Sequence, residues 1–127
     1  MQTILVVDDE MNIRQMLRIM LEMSGYRVIE AGDGIEALET AVAQKPDLMI
    51  MDITMPKLDG LSVCKKLRSM PQIADTPVVM ASGDSAIYEL EKKYRDYVNR
   101  FLRKPFQFDE LLGMVTSLLN QPSLMPA

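Results

Sequence analysis

Short apolar runs and helically spaced apolar stripes alternate along the whole chain. The runs fall at Thr3–Val7, Val28–Ala31, Leu48–Met51, Val78–Ala81 and Phe101–Arg103. Each has the length of a strand, and three are almost wholly apolar, the pattern of strands covered on both faces. Between them, Ile13, Met16, Leu17, Met20 and Leu21 recur at the spacing of one helix face, with Arg14, Gln15, Arg18 and Glu22 on the other. Ser24-Gly25 closes that helix. Asp33 and Glu36 stand at capping-box spacing ahead of Ala37, Leu38, Ala41 and Val42, and Pro46 ends the second helix. Asp59 precedes a third, Gly60–Met70, stopped by Pro71. Ile87, Leu90, Tyr94 and Val98 predict a fourth. Phe108, Leu111, Leu112, Val115, Leu118 and Leu119 predict a fifth.

The succession reads as (βα)5. Strands separated by helices are parallel, and right-handed crossovers put helices on both faces of one sheet, so a three-layer α/β sandwich is expected. The usual order of such a sheet, 2-1-3-4-5, places a switch point between its first and third strands. A chain of 127 residues suits one domain, expected over residues 1–120. The remainder, Gln121–Ala127, carries two prolines and reads as a frayed end or the stub of a linker.

Composition narrows the chemistry. Hydrophobic residues make up 48% and charged residues 25%, which excludes intrinsic disorder. The chain has no histidine, which removes a Ser-His-Asp triad, a Cys-His dyad, a histidine metal cluster and a phosphohistidine carrier. The single cysteine, Cys64, forms no internal disulfide; it shares a helix with Leu61 and Leu67 and reads as buried packing. The methionines of the first helix fall on its apolar stripe and read as core filling. A net charge of −4 without a basic run points away from nucleic acid and from anionic membranes as partners of this domain. The first residues show no signal-peptide pattern, and no apolar run approaches the roughly 20 residues of a membrane span. A cytoplasmic location is expected.

In an open parallel sheet, functional groups gather at the carboxyl ends of the strands. Those ends carry Asp8, Asp9 and Glu10, then Asp52, then Ser82-Gly83, then Lys104-Pro105. Each has an ordinary reading as well. Asp8 and Asp9 could simply favour a helix N-terminus, Asp52 could form a turn, Ser82 could cap the fourth helix, and Lys104 could be a surface lysine. Convergence of three acids, a hydroxyl and an ammonium on one rim outweighs those separate readings. Carboxylates without histidine suit a hard cation such as Mg2+, which binds oxygen ligands together with a phosphate. A carboxylate beside a neutralised phosphoryl group can act as the nucleophile and become an acyl phosphate. Three acids sharing one crevice repel one another, so neutralising Asp9 or Asp52 is expected to stabilise the metal-free protein.

These residues make the chain resemble the receiver domain of two-component response regulators, with the flavodoxin-like fold of CheY. The motifs are Asp8-Asp9-Glu10, Asp52 within Met51-Asp52-Ile53-Thr54-Met55-Pro56-Lys57-Leu58-Asp59-Gly60, Ser82, and Lys104-Pro105-Phe106. The resemblance runs from about Thr3 to Leu119. It implies that Asp52 accepts a phosphoryl group from a phosphohistidine of a histidine kinase or phosphotransfer protein. It implies a Mg2+ site, with Mn2+ as a substitute, in which Asp9, Asp52 and the Thr54 backbone carbonyl are direct ligands and Asp8 acts through water. Ser82 matches the switch hydroxyl, Phe101 the switch aromatic and Lys104 the lysine that contacts the phosphoryl group, with a cis Lys104-Pro105 bond. The implied output is altered binding of a downstream protein or a fused output domain through the face of the fourth helix, fifth strand and fifth helix. The chain is then a regulatory phosphoacceptor and not an enzyme. It departs from the family's common pattern at Ser82, where threonine is usual, at Gly83, where alanine is frequent, and at Asp96-Tyr97-Val98, which lacks a glycine after the fourth helix.

Three other readings fit less well. A phosphatase of the haloacid dehalogenase type carries Asp-x-Asp after its first strand, whereas Asp8 is followed by Asp9 and Glu10. A pseudo-receiver that never takes phosphate has no need of the complete acid set. A flavodoxin-like FMN binder needs a Ser/Thr/Gly-rich loop where this chain has acids.

Overall fold

The computed structural model describes residues 1–55, 57–83 and 87–120. The expected tail, 121–127, and Pro56 of the motif around Asp52 lie outside the described residues. Ten elements alternate in chain order: β1 Thr3–Val7, α1 Met11–Met23, β2 Arg27–Ala31, α2 Gly34–Gln44, β3 Leu48–Asp52, α3 Gly60–Arg68, β4 Val78–Ser82, α4 Ile87–Tyr94, β5 Arg100–Arg103 and α5 Phe108–Leu119. The strands form one parallel sheet in the order β2-β1-β3-β4-β5. This is the expected (βα)5 arrangement with the expected strand order.

The strand alternation divides the core in two. Leu5, Val7, Met49, Met51, Val78 and Met80 face Ala37 and Ala41 of α2 and Leu61, Val63, Cys64 and Leu67 of α3. Ile4, Val6, Leu48, Ile50, Val79 and Leu102 face Leu17 and Leu21 of α1 and Leu111, Val115 and Leu118 of α5. Nearly all these side chains are fully buried, which is why the central strands read as continuous apolar runs.

The helix starts behave as their sequences predict. Asp33 accepts the Glu36 N–H at 2.8 Å and Asp59 the Ser62 N–H at 2.9 Å, each satisfying a donor that the first helical turn leaves open. α3 ends at Arg68, two residues before the expected Met70; Ser69 and Met70 continue as a tight turn through bonds to the Lys66 and Leu67 carbonyls. Gly34 is required by a close approach, because a Cβ there would strike the backbone carbonyl of Leu58. α2 therefore packs directly beneath the loop that follows β3, and the Lys57–Asp33 ion pair at 3.3 Å joins the same two segments.

α1 corrects the expected face. Met16 is 47% exposed, and Met11, Ile19 and Met23 are exposed as well, so these three methionines of α1 do not fill the core; Met20 is half-buried. Arg14, expected on the outer face, is half-buried on the same side as Leu17 and Leu21. The helix is rotated to bring a guanidinium inward, where backbone and carboxylate oxygens accept its hydrogen bonds. Cys64 is buried as expected, and desolvation pushes its thiol up to about 12, so it stays protonated and unreactive at neutral pH.

Candidate functional site

Four strands deliver their last residues to one rim. Asp8 follows β1, and its N–H reaches the Ala31 carbonyl at 3.2 Å, carrying the β1–β2 pairing one residue further. Its Oδ1 then accepts the Glu10 N–H at 2.9 Å, a local turn that breaks the strand and opens α1. Asp52 ends β3, and its Oδ1 accepts the Thr54 N–H at 3.2 Å. Gly60 leaves room beside it, since a Cβ there would lie 2.5 Å from the Asp52 carbonyl oxygen. Ser82 ends β4 one step beyond Ala81, the register partner of Asp52. It is 3% exposed. Lys104 follows β5, and its N–H donates to the Ser82 carbonyl at 2.8 Å.

Asp8, Asp9 and Asp52 each offer a carboxylate oxygen, and these oxygens lie within 4.8 Å of one another. Asp8 is only 5% exposed, Asp52 is half-buried and Asp9 is open to solvent. The Lys104 ammonium donates to Asp52 Oδ2 at 2.9 Å and stands 3.7 Å from Asp8 Oδ2. One cation thus spans two of the three acids. Phe101, the register partner of Met80, is half-buried against the α2–α3 side of the core. The Lys104–Pro105 peptide bond is cis. The site residues expected from sequence therefore lie at or beside a single rim, with Phe101 behind it on β5.

Burial sets the electrostatics. Desolvation raises the Asp8 carboxyl above its ordinary range, against the opposing pull of the Glu10 N–H and the Lys104 charge. Burial alone lowers the Lys104 ammonium, but the Asp52 and Asp8 carboxylates outweigh it and hold the pKa above its ordinary value. Lys104 is therefore a cation at neutral pH, and Asp52 has a charged hydrogen-bond partner. All the oxygens offered are hard donors, so the set fits a divalent cation of the Mg2+ type and not a soft metal.

The buried acid, Asp8, has the larger desolvation cost in the metal-free protein. Asp8→Asn is expected to stabilise that form by about 1 kcal/mol near neutral pH, since an amide oxygen can still accept the Glu10 N–H. A folded pKa above 3.8 means the native protein holds a proton that the unfolded chain has lost, so the wild type gains stability as pH falls through that window. The advantage of Asp8→Asn should accordingly shrink between neutral pH and about pH 4. Urea unfolding of both proteins in EDTA across this range checks it; a variant less stable at every pH overturns the account.

Two participants were not legible from spacing. Arg14 donates to the Asp8 carbonyl at 2.6 Å and to Glu30 at 3.2 Å, and only a polar position within one turn of Leu17 hints at it. Lys57, with φ +70°, reaches Asp33 from the loop after β3, a tertiary contact with no local pattern.

Comparison with known proteins gives concordant results. The family model of the response regulator receiver domain matches residues 4–116. The DNA-binding dual master transcriptional regulator RpaA of Synechocystis sp. is 37% identical over 126 residues, covering 99% of this chain and 52% of that protein. Response regulator MprA of Mycobacterium ulcerans is 39% identical over 121 residues, covering 95% of this chain and 51% of that protein. The chain thus spans about half the length of the curated relatives it matches. Among solved structures, the chemotaxis protein CheY4 of Vibrio cholerae superposes with a TM-score of 0.85 at 33% identity, covering 94% of this chain and 99% of that one. The response regulator TrrA of Thermotoga maritima, solved in complex with Mg2+ and BeF, gives 0.83 at 35% identity, covering 94% and 100%.

Proposed function

The chain belongs to the response regulator receiver domain family, and on that premise we propose that Asp52 is its phosphoacceptor and that phosphorylation there switches partner binding. The observation that carries this reading is the Lys104 ammonium on Asp52 Oδ2 at 2.9 Å, inside a cluster of three carboxylates. The donor is a phosphohistidine of a histidine kinase or phosphotransfer protein. An Asp52 oxygen forms the new O–P bond as the donor's N–P bond breaks, and the histidine nitrogen departs with the electron pair. Lys104 neutralises a phosphoryl oxygen and holds it in line. Asp9, Asp52 and the Thr54 carbonyl would hold Mg2+, or Mn2+ in its place, with Asp8 acting through water. When bound, the cation neutralises charge on the transferring group.

Ser82 bonds the phosphoryl group from the neighbouring strand end, in this reading, with Phe101 turning into the space its movement opens. The face formed by α4, β5 and α5 carries the change to a downstream protein or a fused output domain. The domain itself is a regulatory phosphoacceptor rather than an enzyme, and we place it in the cytoplasm; no described helix is long and apolar enough to cross a membrane. Intact-mass analysis after incubation with acetyl phosphate tests the reading. One phosphoryl addition is expected with Mg2+ and none in EDTA; addition in EDTA overturns it.

A further inference from the structure

We infer that Arg14 is a positioning residue for the cation site: it fixes the Asp8–Asp9 peptide and thereby the direction in which Asp9 presents its carboxylate. The inference rests on the reading of Asp8, Asp9 and Asp52 as that site. The carbonyl of Asp8 and the N–H of Asp9 belong to one planar peptide unit. Arg14 Nη1 donates to that carbonyl at 2.6 Å. At the other side of the residue, the Asp8 N–H is held by Ala31 at 3.2 Å, and the Asp8 side chain by the Glu10 N–H at 2.9 Å. With the Arg14 bond in place, the peptide plane leading to Asp9 has no free rotation. Without it, that plane can turn, and Asp9, the one exposed acid of the three, loses its fixed direction.

Arg14 is itself held. Its Nε donates to Glu30 Oε1 on β2 at 3.2 Å, and Arg18 braces Glu30 Oε2 at 2.7 Å from the next turn of α1. Gly32 leaves the guanidinium its space, because a Cβ there would lie 3.3 Å from Arg14 Nη1. The arrangement is directional: a planar guanidinium holds its donors to the carboxylate and to the backbone carbonyl in one fixed geometry, whereas an ammonium on a flexible stem holds neither direction. Residues that orient ligands without touching the metal typically change affinity by about 10- to 100-fold when removed.

The test uses Mn2+ as the probe, its free concentration read by electron paramagnetic resonance, together with urea unfolding of each protein in EDTA. Arg14→Met keeps the aliphatic bulk and removes every donor; it is expected to bind Mn2+ about tenfold more weakly than the wild type. Arg14→Lys restores one donor and should recover part of that loss. Val115→Ala, at a fully buried position of α5, loses stability and should bind Mn2+ as the wild type does, which separates orientation from general destabilisation. Wild-type affinity within threefold in folded Arg14→Met overturns the inference while leaving the cation site intact. Should Arg14→Met fail to fold, Arg14→Lys decides: binding at least threefold weaker than wild type supports the role, and equal binding overturns it. A wild type that binds no Mn2+ overturns the site reading and the inference together.

Discussion

Asp52→Asn is expected to abolish phosphorylation by acetyl phosphate and by a phosphorylated kinase, with the single added phosphoryl group falling below detection. The substitution is close to isosteric, so the new amide oxygen can still accept the Thr54 N–H and the variant should fold. What it removes is the nucleophile, since an amide oxygen carries no charge to attack phosphorus and forms no stable acyl phosphate. Lys104→Ala should retain the site of modification and slow it by about 10²-fold, the usual effect of deleting one donor to a developing charge. Ser82→Ala should leave the addition intact while weakening its effect on partner binding. Intact mass and time courses in excess Mg2+ read the addition in all three. Continued addition in Asp52→Asn, or a modified Asp8 or Asp9, removes Asp52 from the role.

The parts of this site that could be read from sequence are those where chemistry follows topology. Asp52 directly after Leu48-Met49-Ile50-Met51, and Lys104 directly after Phe101–Arg103, declare themselves because a parallel sheet must present its strand ends on one rim. The strand order was legible only as the usual order of such a sheet. The helical face of α1 was not. Met16 and Ile19 satisfy the apolar period as well as Leu17 and Leu21 do, and period alone does not say which edge of a broad stripe meets the sheet. The deciding contact is polar: the Asp8 carbonyl and Glu30 draw Arg14 inward, and Met16 turns outward in compensation. The distances that make the acids a unit, and the single ammonium between Asp8 and Asp52, exist only in three dimensions.

The end of α4 poses the same problem, and its solution is remote in sequence. Asp96-Tyr97-Val98 offers no glycine, yet the helix stops at Tyr94, whose carbonyl accepts both the Tyr97 and the Val98 N–H. The turn is held from α3. Arg68 donates from Nε to the Tyr97 carbonyl at 3.0 Å, from Nη1 to the Ala74 and Thr76 carbonyls at 2.9 and 2.6 Å, and from Nη2 to Asn99 Oδ1 at 3.0 Å. Asn99 Oδ1 also takes the Val78 N–H at 2.8 Å, so one guanidinium ties the start of β4, the end of α3 and the entry to β5. None of these hydrogen-bond partners among the described residues is charged, and burial lowers the guanidinium pKa from its ordinary value.

Arg68→Met is therefore expected to cost about 3–4 kcal/mol, four bonds at about 1 kcal/mol each, partly relieved by water entering at the exposed side. That is a large share of a typical domain stability of about 5–15 kcal/mol. Arg68→Lys should recover about 1 kcal/mol, since an ammonium reaches fewer of these acceptors in the required directions. Asn99→Ala should cost about 2 kcal/mol by leaving the Val78 N–H unpaired. Because both residues serve one network, the double variant should cost less than the two single losses added together. The network sits at the opposite ends of the strands from Asp52, so Mg2+ binding by the folded variants should match the wild type. Urea unfolding in EDTA and in Mg2+ measures both quantities. A loss under 1 kcal/mol in Arg68→Met, or fully additive costs with Asn99→Ala, would show that the loop is closed by its own backbone turn and not by the arginine.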